Sequence, residues 1–268
     1  MLWMDGVLST TGEPLDRGLE FGDGLFETLA VVAGRPRLLA RHLDRLERGC
    51  AQLGLVMPDR AQLAAEVAAA AATPDVGLVK LVLTRGAGGI GYGVDENRAP
   101  RRYLYAGPGR ARPLDPLARG ARVAVLPTPL AIQPRLAGIK HLNRLEQVLL
   151  RRDVAALGVD EGLVSDGAGR LISGTMSNVF LVLAGRVVTP LLSRCGIDGV
   201  MRGAVLEALV AQGCTVAVRD VGLEALAAAE EIFLTNALIG VWPVTQIAQR
   251  FLPVGAVTRA AAQAVSAW

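Results

Sequence analysis

Along the first hundred positions, apolar and polar residues alternate in two different rhythms. Short runs at 29–32, 79–84 and 103–106 are rich in β-branched and aromatic side chains and predict strands. Between them, 61–72 reads as a helix, with Asp59 placed to cap its start and Pro74 beyond its end. The stretch 107–116 gathers Pro108, Pro113 and Pro116 with two glycines and predicts a linker. Beyond it, strand-like runs at 122–126, 178–183, 215–219 and 231–234 alternate with helices expected to begin at His141 and Val200. Leu142, Leu145, Val148 and Leu149 recur at helical spacing while Arg144, Arg151 and Arg152 take other faces. That helix is therefore expected to follow directly on Lys140 and to bury the apolar stripe. The pattern predicts an α+β protein of two domains: an α+β domain over 1–110 and a sheet-rich domain over 117–268.

Composition narrows the classes. The 268 residues are 51% hydrophobic and 20% charged, which suits a sizeable core. No window holds about 18 or more uninterrupted apolar residues, and charges such as Lys80 interrupt apolar runs, so no membrane span is expected. The first ten residues carry Asp5 and lack both a basic start and an apolar run, which predicts no secretory signal and a cytoplasmic protein. Cys50, Cys195 and Cys214 are odd in number and show no short-range pairing pattern, so reduced thiols are expected. With only His42 and His141 besides, no metal cluster is expected. A net charge of +3 with scattered arginines argues against nucleic acid and suits a small anionic ligand.

Four segments carry candidate chemistry. Gly86-Ala87-Gly88-Gly89-Ile90-Gly91 has the G-x-G-x-x-G spacing of dinucleotide-binding turns. The adjoining residues, from Tyr92 to Pro100, have the glycine, asparagine and proline of a loop and do not form the helix such a turn must open. The segment reads as a flexible loop or as a loop over a site, with Tyr92 and Arg98 as substrate-contact candidates. Gly196-Ile197-Asp198-Gly199 precedes an apolar-periodic helix over 200–210. It is either a plain turn capped by Asp198 or a place where backbone N–H groups converge on an anion. Arg45, within Arg41-His42-Leu43-Asp44-Arg45-Leu46, reads unaided as part of a charged helix face, with His42 packing the helix, although a guanidinium fork suits a phosphate. Lys140 closes the apolar turn Gly138-Ile139 just before a helix, a placement suited to Schiff-base chemistry.

Taken in order, the run from Asp16 to Thr28 (with Phe21-Gly22-Asp23-Gly24 inside it), His42-Leu43-Asp44-Arg45-Leu46, Gly138-Ile139-Lys140-His141-Leu142-Asn143-Arg144, Ser177-Asn178-Val179-Phe180, the turn from Gly196 to Arg202, and Thr235-Asn236-Ala237 resemble the fold-type IV pyridoxal-phosphate enzymes over nearly the whole chain. Within that family, 137–150 and the glycine loop look most like the aminodeoxychorismate lyases. The resemblance implies a D-amino-acid-aminotransferase-like, two-domain α+β architecture, with the cofactor in the interdomain cleft and a homodimer completing each site. It implies pyridoxal 5'-phosphate held by Lys140, the catalytic residue. Arg45, Ile197, Asp198, Thr235 and Asn236 are then the phosphate grip, and Ser173 and Asn178 also lie at the cofactor. Tyr92, Arg98 and Arg144, with Arg85, are the candidates for the substrate carboxylates. Glu27 and Thr28 stand as cleft or structural residues.

One position departs from the family. Fold-type IV enzymes usually carry a glutamate at the pyridine nitrogen, five residues before the asparagine of the Ser-Asn-containing motif, and here that place is Ser173. A carboxylate keeps the ring nitrogen protonated and the ring a strong electron sink, which a neutral hydroxyl does poorly. Either another acid substitutes or the reaction needs a weaker sink. An elimination that leaves an aromatic ring fits the second option, so the implied activity is 4-amino-4-deoxychorismate lyase, with pyruvate and 4-aminobenzoate as products. The alternative is a D-amino-acid or branched-chain aminotransferase. Against it stand Ser173 and also Leu145, where branched-chain types usually have a tyrosine. A non-catalytic relative is a third reading, opposed by the joint presence of Lys140, Arg45 and the Gly196–Gly199 turn.

Overall fold

The computed structural model describes residues 3–4, 7–8, 15–94, 99–109 and 116–266. The chain divides into two compact units, Met1–Pro108 with Ile139–Asn143, and Gly109–Gly138 with Arg144–Trp268. A single cut within 107–116 does not express this division, because the five residues around Lys140 belong with the first unit although their neighbours on both sides belong with the second.

The first unit comprises β1 (Trp3–Met4), β2 (Val7–Leu8), α1 (Arg17–Phe21), β3 (Gly24–Val32), β4 (Arg35–Pro36), α2 (Leu39–Leu53), α3 (Arg60–Ala71), β5 (Leu78–Thr84) and β6 (Arg101–Gly107). Strands β4-β3-β5-β6 form one antiparallel sheet in that order. Period-two alternation sends Leu25, Leu29, Val79, Leu81 and Leu83 to a face buried against α2 and α3, through Leu43, Leu46, Leu63 and Val67. The run 29–32 is only the end of a nine-residue strand. Helix α3 begins after Asp59, whose side chain accepts from the Gln62 N–H at 2.7 Å.

The second unit holds α4 (Pro116–Arg119), β7 (Ala121–Val125), α5 (Leu145–Leu157), β8 (Glu161–Ser165), β9 (Leu171–Gly174), β10 (Asn178–Leu183), β11 (Arg186–Pro190), α6 (Val200–Ala211), β12 (Val216–Arg219), α7 (Ala225–Ala228), β13 (Glu231–Asn236), β14 (Gly240–Ile247), β15 (Arg250–Phe251) and α8 (Ala256–Ser266). Among the described residues, nine of these strands form one mixed sheet, in the order β12-β11-β10-β13-β14-β7-β8-β9 with β15 on β14. It curls far enough that β9 returns to contact β10 and β11. Phe180 and Phe233 face each other across β10 and β13 and stack at 4.8 Å. No helix of the described residues is long and apolar enough to cross a membrane.

Two expectations around Lys140 are corrected. The helix begins at Leu145, not His141, because His141 and Leu142 are held in extended pairing instead. The stripe expected to be buried is exposed: Leu145, Val148 and Leu149 face outward at 71%, 55% and 48%. Leu150 and Val154 are the residues α5 buries, packed with Leu126, Leu130 and Val164. One residue is about 100° of helix, so contact through the 150/154 pair turns the leucine stripe away.

Candidate functional site

Lys140 is positioned by backbone pairing. The Phe26 N–H donates to the Lys140 carbonyl at 3.0 Å, the Leu142 N–H donates to the Gly24 carbonyl at 2.9 Å, and Leu25 bridges His141. Residues 140–142 thus make a short extra rung along the Gly24–Phe26 end of β3. Glycine is needed there, since a Cβ at Gly24 would strike the Leu83 carbonyl and the Leu142 side chain. The half-buried Lys140 amine then lies 4.2 Å from the centre of the Phe26 ring, which attracts a cation.

The opposite face of β3 carries an unexpected cluster. Glu27 points inward between Leu25 and Leu29 and is 1% exposed. Its carboxylate accepts from Arg45 Nε at 2.8 Å and Nη2 at 2.5 Å, and meets His42 Nδ1 at 2.6 Å. Burial alone would push this carboxyl up, but the charge and hydrogen bonds of Arg45, with help from His42, hold it down to about 2. The ionised carboxylate can only accept, so His42 carries its proton on Nδ1. Its Nε2 is buried with no hydrogen-bond partner among the described residues. Burial also pushes the His42 pKa down. His42 is thus more than a packing residue, and two of the three Arg45 nitrogens face Glu27. The partners lie 15 and 18 positions away, but a lone acid on the apolar face of a strand was a readable sign of pairing.

In the second unit, Thr235 and Asn178 are register partners on β13 and β10. Asn178 Nδ2 donates to the Ile197 carbonyl at 2.9 Å, and a Cβ on Gly199 would collide with Asn178 Oδ1. Gly199 is the N-cap of α6 and supplies no side chain, so the first-turn N–H groups have no side-chain acceptor. Asp198 does not cap this helix: its carboxylate takes Arg202 Nη1 at 2.7 Å, and its N–H donates to the Gly138 carbonyl at 2.9 Å. Arg202 also donates to the Pro190 carbonyl and to Thr189, bracing the turn from behind. Asn236 Oδ1 accepts from the Leu238 and Ile239 N–H groups, an internal loop role. The Thr235 hydroxyl, 1% exposed, has no partner among the described residues. An uncapped helix start, a glycine-tight turn and an unengaged buried hydroxyl together fit a phosphate ester.

Ser173 lies on β9 opposite Val164 and donates to the Gly174 carbonyl at 2.8 Å. A nearby acid, Glu161, is 0% exposed on β8 and is engaged by the Gly162 and Thr175 N–H groups and the Thr175 hydroxyl, with Arg151 at 3.5 Å. Its other oxygen accepts from the Ser177 hydroxyl at 3.4 Å.

Among the carboxylate-binding candidates, Arg85 is committed to the protein, donating to Asp23 and to the Leu53 and Gly54 carbonyls. The glycine loop is organised on Arg17, which donates to the Gly88, Gly91, Tyr92 and Gly93 carbonyls. Tyr92 is exposed, its ring edge-on to Phe21 at 5.3 Å. Arg98 lies outside the described residues. Arg144 is half-buried ahead of α5, and burial, opposed by Glu146, lowers its pKa to about 10.

A model of the amino-transferase class IV family matches residues 24–247. An aminodeoxychorismate lyase of Vibrio harveyi is 34% identical over 97% of each chain. A solved 4-amino-4-deoxychorismate lyase of Pseudomonas aeruginosa superposes with a TM-score of 0.88 at 47% identity, covering 96% of this chain and 95% of that one. A structure described as a hypothetical aminotransferase of Mycobacterium tuberculosis in its PLP-bound form matches with a TM-score of 0.81 at 26% identity, covering 98% and 96%.

Proposed function

We propose that this chain, which belongs to the amino-transferase class IV family, is a pyridoxal-5'-phosphate-dependent 4-amino-4-deoxychorismate lyase that yields pyruvate and 4-aminobenzoate for folate synthesis. The observation that carries the reading is the Lys140 amine, held over Phe26 by a rung of backbone hydrogen bonds, in a chain matched end to end by lyases of that name. Lys140 Nζ would hold the cofactor covalently. Thr235 and the first turn of α6, shaped by Asn178, Ile197 and Gly199, would take its phosphate, and Arg45 would add positive charge from α2. When bound, pyridoxal phosphate supplies an electron-withdrawing ring that acidifies the proton on the amine-bearing carbon. Lys140 Nζ would accept that proton as the bond to the enolpyruvyl oxygen breaks and the substrate ring becomes aromatic. The resulting ammonium would then return a proton to the departing enolpyruvate.

Ser173 supports elimination over transamination. Its hydroxyl cannot hold a proton on a pyridine nitrogen as a carboxylate would, and an aromatising reaction tolerates the weaker sink. The second reading, a D-amino-acid or branched-chain aminotransferase, is favoured by the class of the family itself. Incubating the holoenzyme with aminodeoxychorismate and no keto acid separates the two: equimolar pyruvate and 4-aminobenzoate, abolished by Lys140→Ala, are expected. Turnover of D-alanine or leucine only with 2-oxoglutarate would transfer the assignment. Ser173→Glu should raise side transamination, and an unchanged rate would remove serine from the explanation. The reading also takes the protein as a cytoplasmic homodimer, the assembly being checked by sedimentation of the holoenzyme.

A further inference from the structure

The sheet of the first unit has a second face, opposite the one that α2 and α3 cover. Register aligns Phe26 with Val82 and Tyr103 in one row, and Thr28 with Lys80 and Tyr105 in the next. Thr28 is half-buried, and Lys80 and Tyr105 are exposed. Side chains directly opposite on neighbouring strands sit about 5 Å apart, so Lys80 stands beside Thr28, while the Tyr105 ring leans the other way and sets its hydroxyl against Gly107.

Phe26 carries two cations. Lys140 Nζ lies 4.2 Å and Lys80 Nζ 5.2 Å from the same ring centre, which puts the amines within about 10 Å of each other at any angle. Like charges so close repel, and no ion pair joins Lys80 to a carboxylate among the described residues. The acid at this face, Asp16, lies at its other end, engaged by the Gly18 N–H, Thr84 and Tyr103. An anion beside Lys80 would relieve the repulsion.

We propose that Lys80 is a substrate-binding residue: its ammonium, beside Thr28 and near the Phe26 ring, takes the ring carboxylate of the substrate while Lys140 acts at the amine-bearing carbon. This rests on the lyase reading, which supplies a substrate with a carboxylate para to its amine. Ordinary bond lengths put that carboxylate roughly 6 Å from the amine nitrogen, which is below the upper bound on the separation of the two lysine amines. The product keeps the same carboxylate, so it should bind through the same contact.

The test uses holoenzyme with Lys80→Met and Lys80→Arg, after thermal melts show that both variants fold. Lys80→Met should raise KM for aminodeoxychorismate at least about tenfold with kcat within about threefold, and Lys80→Arg should recover most of the loss. Calorimetric binding of chorismate, the 4-hydroxy counterpart that cannot condense with the cofactor, should weaken by a similar factor, as should inhibition by 4-aminobenzoate. If wild type forms product while the variants keep its KM and chorismate affinity, the assignment of Lys80 is overturned and the lyase reading stands. If wild type forms no 4-aminobenzoate, both fall together.

Discussion

Glu27 in the first unit and Glu161 in the second are equally withdrawn from water, at 1% and 0% exposed, and are satisfied by different means. Glu27 faces a full positive charge, with the two-pronged Arg45 contact and His42 beside it. Glu161 is held by dipoles: two backbone N–H groups and the Thr175 hydroxyl, with a guanidinium only at 3.5 Å. Glu231 shares the second pattern, since it accepts from the Val257 and Thr258 N–H groups at the start of α8 and from the Thr258 hydroxyl. The second unit therefore satisfies Glu161 and Glu231 with backbone N–H groups and hydroxyls, at a helix start in the case of Glu231, whereas its buried Asp166 pairs with Arg170 at 2.7 Å. Where it leaves such a place without an internal carboxylate, at α6 beside Thr235, a phosphate from outside fits. In the first unit, each anion found buried brings its own cation.

Removing one partner should separate the two kinds. Glu27→Gln leaves the Arg45 guanidinium buried against a neutral amide, and we expect a loss of about 3–5 kcal/mol, or about 10 °C in Tm by calorimetry of the holoenzyme. Acid should act on the same cluster. The folded pKa of Glu27, about 2, lies below its ordinary 4.5, so its contribution is complete above 4.5 and is lost as pH falls toward 2, about 3 kcal/mol in all. His42, pushed below 6.5, adds a loss that begins as pH drops under that value. Tm should thus decline below about pH 6.5 and more steeply below 4.5, and Glu27→Gln should lose the steeper part. Glu161→Gln keeps an acceptor for the same N–H groups and should cost only about 1–2 kcal/mol; a loss equal to that of Glu27→Gln would erase the distinction. Smallest in stability is Thr235→Val, expected within about 0.5 kcal/mol of wild type for the apoprotein, with pyridoxal phosphate binding weakened about tenfold by equilibrium titration.

What was legible in the sequence was local. The Gly196–Gly199 turn ahead of a helix and the end of the helix before Pro74 are written in consecutive residues and lie where those residues place them, whereas Lys140 lies in an extended rung and not at a helix start. The phase of α5 was not, because Leu145, Val148 and Leu149 form as good a stripe as Leu150 and Val154, and only the packing of α5 on β8 chooses between them. The partners of Glu27, the commitment of Arg85 to Asp23 and the pairing of Lys80 with Thr28 and Tyr105 join residues far apart in the chain, so periodicity carries no trace of them.

The excursion of Ile139–Asn143 into the first unit makes the two units inseparable as genetic modules. A gene fragment stopping at residue 110 would encode β3 without the rung that covers Gly24–Phe26, leaving a bare strand edge open to pairing with another chain. A fragment starting after it would carry the lysine with no strand to lie against. Severing the peptide between 107 and 116 in the finished protein is a different operation, because the chain still crosses from one unit to the other on either side of Lys140 and keeps both halves stitched together.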